Sequence, residues 1–204
     1  MKKDPENHDV KKEDEILTKI INYIMDLVTD IPSSDESISK EPKEKAKSIV
    51  LSASSKAALI SGTLSLPPGP FGMITVLPDI VAIWKIQRGM VADIAAIYGK
   101  TKYLGKEQMI YCLFKHAASQ VVKDLVVRVG ERLLIKTTSI KVLQDILRRI
   151  GIRITQRIAG RTISRWLPVV GAIGIGVYAF YDTSQVGKTA IEFFERDLDI
   201  KENV

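Results

Sequence analysis

The sequence predicts an all-α fold: a multi-helix bundle of six to eight helices around an apolar helical hairpin with a proline/glycine elbow. Three observations predict it. Residues 56–79 carry no charge between Lys56 and Asp79, and Pro67, Pro68, Gly69, Pro70 and Gly72 interrupt that stretch in its middle. Apolar residues recur at helical spacing through residues 14–29 and 106–128, with further helix over 140–165. A second uncharged run, residues 166–181, follows the break at Trp166-Leu167-Pro168 and is expected to pack against the hairpin.

Residues 1–13 are charged and poor in apolar side chains, which predicts a disordered N-terminus. They also lack the apolar core of a signal peptide, so a cytoplasmic location is expected. Residues 14–29 read as an amphipathic helix whose stripe is Ile16, Ile20, Tyr23, Ile24, Leu27 and Val28. Residues 30–47, with Pro32, Pro42, serines and charges, read as a linker. The main helical domain is expected over 48–198, with residues 199–204 frayed.

The hairpin has a mechanical cause. Proline fixes φ and has no N–H, so no helix runs through Pro67-Pro68-Gly69-Pro70. The first arm is expected from Pro42 to Leu64. The second is expected to start at Pro78, with Asp79 beside the helix N-terminus, and to end at Tyr98 with Gly99 as a left-handed cap. That second arm is apolar around most of its circumference, so it belongs inside protein or lipid. Leu64, Leu66, Phe71 and Met73 at the elbow are the side chains expected to meet lipid.

After a connector at 99–105, residues 106–128 read as one helix. Residues 140–150 and 152–165 read as further helix, either continuous across Gly151 or broken there. Residues 169–181 contain Gly171, Gly174 and Gly176, which permit close helix contact. Residues 183–198 read as a last amphipathic helix. Leu77-Pro78-Asp79 and Leu167-Pro168-Val169 each open an apolar helix after a longer arm, a weak sign of a duplicated hairpin.

The run SGTLSLPPGPFGMITVLPDIVAIWKIQRGMVADIAAIYG resembles the signature region of the EcsC family, and so does RWLPVVGAIGIGVYAFYDTSQVGKTAIEFF. The matching pieces are the Gly/Pro elbow, the Leu-Pro-Asp at 77–79, the segment 94–99 and the Pro-Val-Val-Gly-Ala at 168–172. The resemblance spans residues 45–198. It implies a bacterial, helical, membrane-associated protein, with a suggestive link to a transporter or secretion system, and it implies no reaction.

The net charge is +6, and it is concentrated. Residues 132–165 hold nine Lys and Arg against Asp145 alone, so attraction to anions is local. Within that segment Arg149, Arg153, Arg157, Arg161 and Arg165 recur every four residues, a stripe that winds slowly around a helix. Like charges at this spacing repel, by a few tenths of a kcal/mol per pair, roughly. The stripe reads as a solvated basic face, as a contact for anionic lipid headgroups beside the interfacial Trp166, or as one side of internal ion pairs with Asp79 and Asp93. Nucleic acid is disfavoured, because no aromatic residues interleave the arginines.

No residue set reads as catalytic, and no metal or cofactor is implied. Asp79 and Asp93 stand about 20 Å apart along one helix by helical rise, too far to share a proton. They read as structural polar anchors, together with Gly99. Gly187-Lys188-Thr189 resembles the end of a phosphate-binding loop, but Asp182 occupies the position where that pattern needs glycine. Cys112 and His116 lie one helical turn apart with no third group to orient them, and one cysteine excludes an intrachain disulfide. The Ser-Ile-Ser-Lys at 37–40 sits in a linker.

The expected function is therefore non-enzymatic: a membrane-associated protein, peripheral or re-entrant on the cytoplasmic face, with a membrane surface or lipid as partner. A membrane-protein partner in a transporter or secretion complex is a further expectation. The alternative is a soluble helical domain that binds, or acts on, a hydrophobic small molecule in an internal cavity.

Overall fold

A computed structural model describes residues 5–64, 72–129, 132–136, 138–161, 168–196 and 198–201, with the backbone course alone at several element ends. Six helices form the body: α1 (Pro5–Thr29), α2 (Pro42–Leu64), α3 (Gly72–Ile97), α4 (Lys106–Val122), α5 (Ile140–Arg161) and α6 (Pro168–Glu195). The all-α bundle is the observed architecture. Three short strands accompany it, β1 (Val126–Val129), β2 (Arg132–Lys136) and β3 (Leu198–Lys201), in the order β1-β2-β3. β1 and β2 pair antiparallel with Val129 opposite Arg132, and β3 joins β2 in parallel.

Local chemistry sets the helix ends. α2 opens on Pro42, whose missing N–H costs nothing in a first turn, and has Glu44 beside the positive end of the helix dipole. α3 closes at Gly99, the positive-φ residue of the described chain at +67°. The Gly99 N–H donates to Ala96 O and the Lys100 N–H to Ala95 O, both at 2.8 Å, which satisfies carbonyls the helix leaves open. α4 opens with the Gly105 N–H donating to Gln108 Oε1 at 2.9 Å.

Two expectations are corrected. α3 starts at Gly72 rather than Pro78, so Pro78 lies inside the helix and Asp79 is not at its N-terminus. Residues 72–77 carry the helix up to the proline, whose missing N–H removes one backbone hydrogen bond near the start. The helix expected over 106–128 ends at Val122, turns through Lys123–Leu125, and becomes β1. Three of its last four residues, Val-Val-Arg-Val, are β-branched, and they pair with the run Arg132–Lys136, so pairing overrides the helical period. The backbone also leaves helical values at Ala118, which kinks α4. At the ends of the chain, α1 is helical from Pro5 and β3 occupies Leu198–Lys201.

The core lies between α1, α3, α4, α5 and α6. Ile20, Ile24, Leu27 and Val28 of α1 are buried as their spacing predicts, while Tyr23 is exposed. Leu143, Ile146, Leu147 and Ile150 form the buried stripe of α5, and Gly151 lets that helix come up against Leu17 and Ile21 of α1. Trp84 of α3 meets Phe114 of α4 edge to face, with ring centroids 5.6 Å apart.

α2 packs most extensively on α6, and α3 packs on both. The hairpin arms therefore rest against the helix that contains the second uncharged run. Small residues make this possible: Gly176 abuts the Ala58 carbonyl, Gly187 abuts Val50, and the Ser54 and Ser184 hydroxyls are 3.0 Å apart. Burial stabilises the bundle by about 25 cal/mol per Å² of apolar surface withdrawn from water.

Candidate functional site

Two features of the surface and interior carry chemistry: a cationic outer face on α5 and a polar junction where α3, α4 and α6 meet.

The buried stripe of α5 faces α1 and α4, so the opposite side must face solvent. That side exposes Lys141, Arg148, Arg149 and Arg153. No carboxylate of the described residues lies within ion-pairing distance of Arg149 or Arg153. Arg157 and Arg161 continue the same helix, but their side chains lie outside the described residues, as does Arg165. Asp93 is not within ion-pairing distance of Arg149 or Arg153: it is half-buried and accepts a hydrogen bond from Ser34 Oγ at 2.6 Å. The side chain of Asp79 lies outside the described residues. So do Leu66, Phe71 and Trp166, and the side chains of Leu64 and Met73. Among the described residues no helix is long and apolar enough to cross a membrane.

The polar junction was not read from the sequence. Asp182 of α6 is its hub. Gln87 of α3, almost fully buried, donates through Nε2 to Asp182 Oδ2 at 2.8 Å and to Thr183 Oγ1 at 3.2 Å. The other carboxylate oxygen, Oδ1, is 2.8 Å from His116 Nε2 of α4. The pair is mostly withdrawn from solvent, each side chain 18% exposed. His116 Nδ1 is buried and meets no hydrogen-bonding partner.

An imidazole held by a carboxylate is how a general base is oriented. Here the other ring nitrogen has no hydroxyl or thiol as a hydrogen-bonding partner among the described residues. Cys112, one turn away, is fully buried, and burial pushes its thiol well above the ordinary value, so no thiolate forms near neutrality. The junction therefore ties three helices together through one carboxylate. The signal for it was present: His116, Gln87 and Asp182 are polar residues set on otherwise apolar helix faces.

The remaining motifs are structural. Gly187-Lys188-Thr189 lies within α6, with Gly187 against Val50 and Thr189 Oγ1 donating to Gln185 O, so it presents no loop to a phosphate. In the segment between α1 and α2, the Ser39 N–H donates to Ile97 O at 3.0 Å and Ser39 Oγ accepts from the Glu41 N–H. A shallow groove of about 660 Å³ runs beside it, lined by Ser34, Glu36, Ser37, Ile38, Gly99 and Lys102 among others. No group of His, Cys, Asp and Glu among the described residues is placed to hold a metal ion.

No protein family, curated protein or solved structure matches the chain.

Proposed function

We propose that this chain is a membrane-associated helical protein that attaches to the cytoplasmic face through anionic lipid. The observation that carries the reading is the outer face of α5, where Arg149 and Arg153 stand exposed, Asp145 is the one acidic residue of the helix, and no described carboxylate lies within ion-pairing distance of either arginine. A cation near an anionic bilayer gains about 1 kcal/mol. Lys141, Arg148, Arg149 and Arg153 together form a multivalent contact of a kind that an isolated surface ion pair does not provide. The EcsC-like segments at 61–99 and 165–194 point the same way. On this reading the attachment is peripheral or re-entrant, and no described helix is long and apolar enough to cross a bilayer.

Flotation with vesicles tests this. At low salt the protein should float with vesicles of phosphatidylcholine and phosphatidylglycerol and bind pure phosphatidylcholine far less. The double substitution Arg149→Gln and Arg153→Gln removes about 2 kcal/mol, so binding to the anionic vesicles should weaken about 30-fold. Equal failure to float with both vesicle types would overturn the reading. A stoichiometric lipid carried inside a monomer, seen by native mass spectrometry, would favour the cavity alternative.

A further inference from the structure

We propose that Ser37 is a phosphorylation site, and that a phosphate there draws the segment between α1 and α2 shut against the turn that follows α3; the site is independent of the membrane reading above. Residues 31–39 lie outside helix and strand. They carry four serines, and two of these are committed. Ser34 Oγ donates to Asp93 and accepts the Glu36 N–H, and Ser39 Oγ accepts the Glu41 N–H. Ser33 and Ser37 are exposed, and their hydroxyls have no hydrogen-bonding partner among the described residues. Of the two, Ser37 lines the groove beside α3 and Ser33 does not. Lys102 lines the same groove from the turn Thr101–Tyr103. It is exposed, its ammonium stands 4.9 Å from the centroid of the Tyr103 ring, and no described carboxylate lies within ion-pairing distance of it. The carboxylate that lines the groove, Glu36, is already paired with Lys45. The groove therefore holds a free hydroxyl on one wall and an uncommitted cation on the other.

Phosphoserine brings about two negative charges at neutral pH and strong acceptor oxygens, which an ammonium across the groove can meet with its own donors. The segment is pinned on both sides of Ser37, by Ser34 on Asp93 and by the Ser39 N–H on Ile97 O at 3.0 Å. A group carried on Ser37 is thus held at the groove, which lowers the entropy lost when it pairs. Asp35 and Lys40, both exposed on the same segment, oppose each other in sign. The step is a phosphoryl transfer from a nucleoside triphosphate bound to a protein kinase. Ser37 Oγ forms a bond to the γ-phosphorus, the bond from that phosphorus to the bridging oxygen breaks, the nucleoside diphosphate leaves, and the serine proton passes to the kinase's base. Presenting Ser37 unwinds no helix.

Hydrogen exchange at the Ser39 N–H reads the closure, because Ile97 O holds that proton and a change at residue 37 leaves its intrinsic rate alone. The full chain with phosphoserine installed genetically at position 37 should exchange there about fivefold more slowly than the unmodified chain, the upper end for an exposed ion pair. In a Lys102→Met background the slowing should vanish, while the unmodified Lys102→Met chain should exchange as its parent does. Phosphate installed on Ser33, outside the groove lining, should slow the exchange little. Mass spectrometry of the chain isolated from the cells that make it should place a phosphate on Ser37. Four results would each overturn the site: equal exchange with and without the phosphate, slowing that survives Lys102→Met, equal slowing from Ser33, or a chain from its own cells with Ser37 unmodified. Equal slowing of the unmodified chain by inorganic phosphate would assign the groove to a free anion instead.

Discussion

Gly187 of α6 sits so close to Val50 of α2 that a methyl group on the glycine would overlap both branches of the valine side chain. Valine is stiff at χ1 and has little room to turn aside. Replacing Gly by Ala in a helix ordinarily gains about 1 kcal/mol. At this contact the overlap costs about 1–3 kcal/mol, so Gly187→Ala should destabilise the protein in urea unfolding. In a Val50→Ala background the overlap is relieved and the same substitution should become neutral or stabilising. A destabilisation of equal size in both backgrounds would mean the two helices are not in this contact.

Gly89 of α3 is the control. A β-carbon there meets nothing within 4 Å. Gly89→Ala should stabilise by about 0.5–1 kcal/mol, read as a higher urea midpoint at unchanged slope.

Asp182 serves His116 and Gln87 at once, so it should be the costliest member of the polar junction to lose. His116→Ala leaves part of a withdrawn carboxylate without its donor and should cost about 1–3 kcal/mol. Asp182→Ala strands both partners and should cost more, about 3–5 kcal/mol. The double variant should fall well short of the sum, because the second substitution removes a group the first had already orphaned. Additive costs would show that the two side chains do not act through each other.

Lys100 follows the turn at Gly99 and donates through Nζ to the carbonyl oxygens of Phe194 and Arg196 at the C-terminal end of α6. A cation there satisfies open carbonyls and opposes the negative end of the helix dipole. Lys100→Met keeps the stem and removes the charge. It should lower stability by about 1–2 kcal/mol, a drop of about 2–4 °C in Tm for each kcal/mol in a chain of this size. Tm unchanged within a degree would show that water replaces the ammonium without loss.

Cys112 sets a pH limit. Burial raises its thiol above the ordinary 9.0, so the native protein keeps the proton where the unfolded chain releases it. The unfolded state then binds fewer protons than the native one, and stability falls as pH rises. The contribution is constant below the ordinary value and declines above it, by about 1.4 kcal/mol per pH unit. Comparing parent and Cys112→Ala between pH 8 and 10.5 should show a steeper decline in the parent. A soluble thiol reagent should label Cys112 only at the rate of opening; prompt labelling in native buffer would contradict its burial.

How much of this was legible in the sequence differs by element. The bounds of α2 at Pro42 and Leu64 and the cap at Gly99 were readable because proline and glycine act locally, on their own φ angles. The α1 stripe was readable because burial repeats with the helical period. Pro78 misled: a proline that can open a helix can also sit in one already begun. The hairpin of β1 and β2 was overlooked although Gly130-Glu131 separates two strand-like runs by two residues, a recognised turn spacing. The junction of His116 with Asp182 joins residues 66 apart in sequence, and no period or local motif links such a pair. The exposed arginines of α5 were visible as a stripe; that Asp93 bonds Ser34 instead of them is a tertiary fact.

The segment between α1 and α2 is held to α3 at two points, by Ser34 on Asp93 and by the Ser39 N–H on Ile97 O. Arg88 of α3 adds a third grip, donating to the Asp30 carbonyl oxygen just after α1. The first helix is therefore latched to the middle of the chain by contacts outside the core it covers. It cannot swing away by rotating about a loose tether; opening the floor beneath it requires the fastenings along its exit to release together.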